Sequence, residues 1–247
     1  MKLDDIKKLH QKKYRSQFGY YLVEGEHLIL ELQKSLGTHL TANNISLFVT
    51  EDYQQWASRL PAAFDTTVLN HKQMAQLSDT KSPQGIIACV PLPKANSVPA
   101  PLANGERCIY LHEVQDPGNL GTILRTLAWF GHFRLLLSPN SVDPFNSKVV
   151  RASMGAIFHL PIELDVALDS LPQRFSQFAY LDLQGASLTS EAFTDYQCYL
   201  FGNEARGVPQ EALARFKAQA FTIAGSGAID SLNLASAVSI CAYQLSL

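Results

Sequence analysis

Beyond residue 107 the chain alternates short apolar strand patterns with helical ones, and this alternation restricts its fold more than any other feature. The run CIYLHEV (108–114) leads through a DPGN turn into an apolar helical stretch, LGTILRTLAWFG. RLLLSP (134–139) leads into a helical segment around KVVRASMGAIF, followed by the strand patterns LPIEL, FAYLDL and YLFGNE (199–204). A helical QEALARF, a strand FTIA and a long apolar helix, LASAVSICAYQL, complete the series. Apolar strands separated by helices predict an α/β fold, a mainly parallel sheet with helices on both faces. In such sheets ligands bind outside the carboxyl ends of the strands. Chemistry is therefore to be sought in the loops there.

Before residue 95 the patterns predict helix 1–13, strand 20–24, helix 26–36, strand 46–50, helix 52–59, strand 66–69, helix 71–77 and strand 85–90. These read as a small N-terminal α/β domain, 1–95. Pro91, Pro93, Pro99 and Pro101 fall within PLPKANSVPAPLANGE (91–106), the composition of a linker. The expected division is domain 1–95, linker 96–106 and domain 107–247.

No apolar run approaches the roughly 18 residues that a membrane span needs, and the basic start has no apolar core like that of a secretory signal. Cys89, Cys108, Cys198 and Cys241 lie far apart in apolar stretches and form no zinc-type pair. They read as reduced, buried thiols of a cytoplasmic protein without a metal site. The net charge of −2 does not advertise nucleic-acid binding, but its distribution is uneven. Residues 1–95 hold 11 basic against 9 acidic side chains, and six of the basic ones fall in the first 20 residues. Lys7, Lys8, Lys12, Lys13 and Arg15 are thus candidate phosphate contacts, with a solvated helix face as the plain alternative.

Three strand-end loops carry the chemical signal. In HEVQDPGNLGTILRTLAWFG (112–131), Pro117 and Gly118 force a turn, Asn119 can cap the helix, and Arg125 interrupts its apolar sequence. In LFGNEARGVPQEAL (200–213), Asn203 and Glu204 follow the strand directly. In FTIAGSGAIDSLNLASAVSICAYQL (221–245), Ser231 and Asn233 flank Leu232 before the last helix. The Gly225-Ser226-Gly227 piece invites a dinucleotide-binding reading, but the third glycine of that fingerprint would fall at Asp230 and no βαβ unit follows.

Together, in this order, the loops resemble the SpoU/TrmH family of RNA ribose methyltransferases, within the SPOUT class. Its first motif, DPGNxGxxxR, is met by Asp116 to Arg125; its second, hhhGNExxG, by Leu200 to Glu204 and Gly207; its third by Ile223, Gly227, Ser231-Leu232-Asn233 and Ala237. NSKVVRASMGAIFHLP (146–161) is similar to the stretch between the first two motifs, and GYYLVEGEHLILE and LSDTKSPQGIIACV are like the family's substrate-binding domain. Ala224, Gly225 and Asp230 depart from the third motif. A non-catalytic RNA- or ribosome-binding homologue of the same fold is the alternative these departures leave open.

The resemblance implies a trefoil knot in the C-terminal part and a homodimer with no metal. It implies S-adenosyl-L-methionine as methyl donor and a ribose 2′-hydroxyl, of ribosomal rather than transfer RNA, as acceptor. Gly202, Ile223 and Leu232, helped by Leu200 and Gly207, would hold the cofactor. Arg125 would act at the hydroxyl, and Asn119, Glu204, Ser231 and Asn233 would order the pocket.

Overall fold

The structure, a computed structural model, describes residues 1–36, 44–62, 64–93 and 101–247. Residues 96–100 of the expected linker lie outside this set. The chain divides into two units, Met1–Ala95 with Asp143–His159, and Asn96–Val142 with Leu160–Leu247.

The first unit carries α1 (Leu3–Lys8), α2 (Lys12–Phe18), β1 (Tyr20–Glu24), α3 (Glu26–Lys34), β2 (Ser46–Val49), α4 (Glu51–Ala57), β3 (Asp65–Val68), α5 (His71–Leu77) and β4 (Ile86–Pro91). Its sheet runs β1-β4-β2-β3, with β4 antiparallel to both neighbours and β2 parallel to β3. Ile6, Leu9, Leu22, Phe48, Met74 and Ile87 share its core.

The single helix expected over 1–13 is instead two. Neither glycine nor proline marks the break. The Arg15 guanidinium turns back and donates from Nη1 to the Leu9 and His10 carbonyls at 2.8 and 2.9 Å. Those carbonyls end α1, and Ile6 and Leu9 are buried beneath the turn. A tertiary contact has overridden local propensity.

Residues 143–159, expected with the C-terminal domain, belong to the first unit. Asp143 accepts from Arg15 Nε at 3.0 Å, Phe145 packs on Tyr21 with ring centroids 4.9 Å apart, and Asp79 binds Ser147 and Arg151. This segment forms α7 (Ser147–Ala152) and a 3-10 turn at Ala156–Phe158, separated by positive φ at Met154 and Gly155.

The second unit contains β5 (Arg107–Leu111), α6 (Pro117–Phe130), β6 (Phe133–Leu137), β7 (Ile162–Glu163), α8 (Leu171–Arg174), β8 (Phe178–Ser187), β9 (Cys198–Phe201), α9 (Gln210–Leu213), β10 (Ala218–Thr222) and α10 (Leu234–Ser246). All six strands are parallel, in the order β10-β8-β9-β5-β6-β7. Alternate residues explain the continuous apolar runs. Cys108, Tyr110, Leu136, Cys198 and Leu200 pack under α8 and α9, while Ile109, Leu135 and Tyr199 on the opposite face are equally buried. α6 lies against β6 and packs on α10, where the Thr126 and Ser239 hydroxyls meet at 3.0 Å. Among the described residues no helix is long and apolar enough to cross a membrane, and no group of His, Cys, Asp and Glu is arranged to hold a metal ion.

Candidate active site

β5 and β9 are neighbours, so the loops leaving their carboxyl ends, 112–116 and 202–209, lie side by side. β10 is at the edge, three strands from β5. At a spacing of about 4.8 Å per strand the gap is roughly 14 Å. Residues 223–233 span it, running from the end of β10 back to α10 beside α6. This loop therefore bridges the sheet edge and the start of α6, where Asn233 meets Asn119.

The first turn of α6 differs from expectation. Asp116, not Asn119, is the N-cap, accepting the Asn119 N–H at 2.7 Å, and Pro117 occupies the first helical position where no N–H is needed. Asn119 is thereby left free to reach sideways. Its Nδ2 donates to Glu204 Oε1 at 3.3 Å, and its Oδ1 accepts from Asn233 Nδ2 at 2.9 Å. Glu204 also accepts the backbone N–H groups of Gln115 and Asp116, each at 3.1 Å. Asn233 caps α10, its Oδ1 accepting from Ala235 N–H at 2.9 Å and Ser236 N–H at 3.3 Å. A continuous chain, Glu204–Asn119–Asn233, thus ties together all three loops singled out in the sequence.

The 202–207 loop folds back on itself. Asn203 and Gly207 exchange both backbone hydrogen bonds at 2.9 Å, and Gly207 is left-handed at φ +67°. A Cβ on Gly202 would collide with the Gly207 carbonyl, so only glycine fits there. Asn203, which the sequence reading did not place in the site, organises this loop. Its Oδ1 accepts from the N–H groups of Ala205 and Arg206, and its Nδ2 donates to the Glu113 carbonyl at 2.6 Å. Its position directly after a strand was the available signal.

Glu113 was also missed, and no sequence pattern marks it. It sits at φ +51°, its carbonyl accepts from both Asn203 and Gln115, and its carboxylate meets Arg206. A hydrogen bond from Asn140, with the charge of Arg206 nearby, holds that carboxyl below its ordinary range. Beside it, burial lowers the pKa of His112, whose Nδ1 is enclosed with no hydrogen-bond partner among the described residues.

Arg125 is exposed on α6 and makes no hydrogen bond or ion pair among the described residues. Ser231 is exposed and its hydroxyl makes no hydrogen bond among the described residues, Ile223 is half-buried, and Leu232 is 46% exposed. The Leu200 side chain is fully buried in the core, so it can offer a ligand only its backbone. Lys7, Lys8, Lys12 and Lys13 are exposed, in the other unit.

Arg15 requires correction as a phosphate contact. It is 4% exposed and committed to Asp143 and to the Leu9 and His10 carbonyls, so it pins α1 to α2 and offers nothing to solvent.

Whether an adenosine-bearing sulfonium cofactor fits is decided by the 223–233 loop. Among the described residues, 224–232 make no backbone–backbone hydrogen bond, which leaves peptide donors and acceptors along the loop for a ligand. Exposed apolar side chains, Leu232 and Ile229, stand among them. A flat base with a polar edge needs that combination, and the residues present fit it.

Comparison with known proteins agrees. The SpoU rRNA Methylase family matches residues 106–243, and an MRM3-like substrate binding domain matches residues 2–88. A 23S rRNA guanosine 2′-O-methyltransferase of Bacillus subtilis, RlmP, is 30% identical over 99% of this chain and 95% of its own. An RNA methyltransferase of the TrmH family from Porphyromonas gingivalis superposes with a TM-score of 0.81 at 30% identity, covering 98% of this chain and 96% of its own. An AdoMet-bound rRNA methyltransferase from Sinorhizobium meliloti gives 0.78 at 29%, covering 98% and 93%. The chain belongs to the SpoU rRNA methylase family and is an S-adenosylmethionine-dependent RNA methyltransferase.

Proposed function

We propose that this protein methylates a ribose 2′-hydroxyl of ribosomal RNA in the cytoplasm, with residues 107–247 as the catalytic part, knotted as the family resemblance implies, and residues 1–95 as the RNA-holding part. The observation that carries the reading is the Glu204–Asn119–Asn233 chain, which ties the three loops together. S-adenosylmethionine, when bound, supplies an electrophilic methyl group on a sulfonium with a good leaving group. Most of what the protein must add is alignment and exclusion of water.

The peptide groups of 224–232 and the backbone at Gly202 and Gly207, with Ile223 and Leu232, would hold the adenosine part of the cofactor. Glu204, Asn119 and Asn233 hold the loops at fixed separation, and Ser231, exposed in the third loop, would join them in ordering the pocket. Arg125 is free to engage RNA. An arginine keeps its proton at neutral pH, so it does not serve as the base. It orients the phosphate and stabilises negative charge developing on the 2′-oxygen as the hydroxyl proton passes to water.

The protein works as a homodimer. α6 and α10, which pack together, leave Trp129 84%, Tyr243 55% and Ile240 39% exposed, apolar area that a second copy would cover. Trp129→Glu should then yield monomers by sedimentation. The test of the function itself is mapping of 2′-O-methyl positions in total RNA with and without the protein. One ribosomal position should lose its methyl group in the protein's absence, and an unchanged map would refute the assignment.

A further inference from the structure

Tyr14 lies half-buried on α2, with the Phe18 ring stacked alongside at 5.9 Å between centroids and 21° between planes. Two ammonium groups approach the same ring from different helices. Lys8 Nζ of α1 is 5.8 Å from the Tyr14 centroid, and Lys13 Nζ of α2 is 5.7 Å from it. Their spacing depends on the angle between α1 and α2. Arg15 holds that angle by bonding the Leu9 and His10 carbonyls while Asp143 neutralises its charge. The ring and the two cations over it therefore form one cluster, whose flexible lysine stems can swing aside for a base.

We propose that Tyr14 is a stacking platform for an unpaired RNA base, with Lys8 and Lys13 meeting the phosphates on either side of that nucleotide. This rests on the RNA-methylating function argued above and adds the kind of nucleotide the N-terminal unit holds. An aromatic ring between cations matches the chemistry of a single strand, which offers a flat base and flanking negative charges. A paired A-form helix stacks its bases on one another and withholds their faces, so lysines alone would serve to bind it. The local charge favours RNA as the occupant. Lys2, Lys7, Lys8, Lys12 and Lys13 are all exposed, and among the described residues only Lys8 is ion-paired, to Asp5.

The test uses the full-length protein and two RNA probes, a hairpin carrying 2-aminopurine in its unpaired loop and a fully paired duplex of equal length. The wild type should quench the 2-aminopurine on binding. Tyr14→Leu should bind the hairpin about tenfold more weakly without quenching, bind the duplex as before, and keep the salt slope of log affinity. Tyr14→Phe should retain quenching. Lys8→Ala with Lys13→Ala should lower the salt slope for both probes.

A thermal melt establishes that Tyr14→Leu is folded. If it is not, the comparison of Tyr14→Phe with Tyr14→His, both able to stack, decides the matter by whether quenching persists. Hairpin binding and quenching unchanged in Tyr14→Leu, or equal losses on both probes, would overturn the platform alone. Failure of the wild type to bind either RNA would overturn the parent reading as well.

Discussion

Replacing Glu204 with alanine removes the acceptor for two backbone N–H groups, those of Gln115 and Asp116, and for the Asn119 amide. Hydrogen bonds to a charged group contribute about 1.5–3 kcal/mol when shielded. Glu204 is exposed, and exposed charges are screened to about 1 kcal/mol or less. The sum is about 1.5 kcal/mol, or roughly 3–6 °C in Tm for a chain of this size. The catalytic effect should be far larger than the stability effect. Without Glu204, Asn119 loses its orientation, and Asn233 loses the contact that ties the 223–233 loop to α6. A displacement of about 1 Å at a reacting centre can cost about 100-fold. Single-turnover transfer of labelled methyl to ribosomal RNA should fall by about that factor, while calorimetry shows cofactor affinity reduced less than about tenfold. Glu204→Gln should lie between, since its amide keeps one acceptor but turns a donor toward the N–H groups. Transfer by Glu204→Ala within about twofold of wild type would refute the role given to the chain of contacts.

Arg125→Ala should abolish methyl transfer and leave cofactor affinity within a few-fold in calorimetry, because the side chain supports none of the pocket loops. Arg15→Met should destabilise the protein by about 3 kcal/mol in urea, because Asp143 is left enclosed without its partner. Adding Asp143→Leu should recover much of that loss. Burial raises the thiols of Cys89 and Cys108 from 9.0 to about 12, and raises Cys198 and Cys241 as well. A group raised on folding stabilises fully below its unfolded value and loses that contribution as pH climbs through the folded one. Unfolding free energy should therefore fall between about pH 9 and 12. A urea midpoint that stays flat from about pH 8 to 11 would contradict it.

Much of the second unit was legible before any coordinates, because its strands are buried on both faces and read as unbroken apolar runs. The start of α10 was marked by Asn233, since capping is a local matter of side chain and adjacent N–H groups, whereas α6 begins earlier than its sequence suggested, with Asp116 rather than Asn119 as its cap. The motif residues fell in three loops that the parallel topology then placed at one end of the sheet. The element ends were less legible. β5 stops at Leu111, short of the expected 114, because the chain turns through the left-handed Glu113.

What the sequence determined by itself was whatever depends on neighbours a few residues apart: strand against helix, caps, turns, and the order of the three loops. Tertiary structure alone decided the break between α1 and α2, the burial of Arg15, the allegiance of residues 143–159, and the bonding of Asn119 to both Glu204 and Asn233. Each of these depends on groups 68 to 128 residues apart, or on a carbonyl that a distant charge stabilises. Such contacts form only when the whole chain has closed around them, so no window of sequence contains the energy that fixes them.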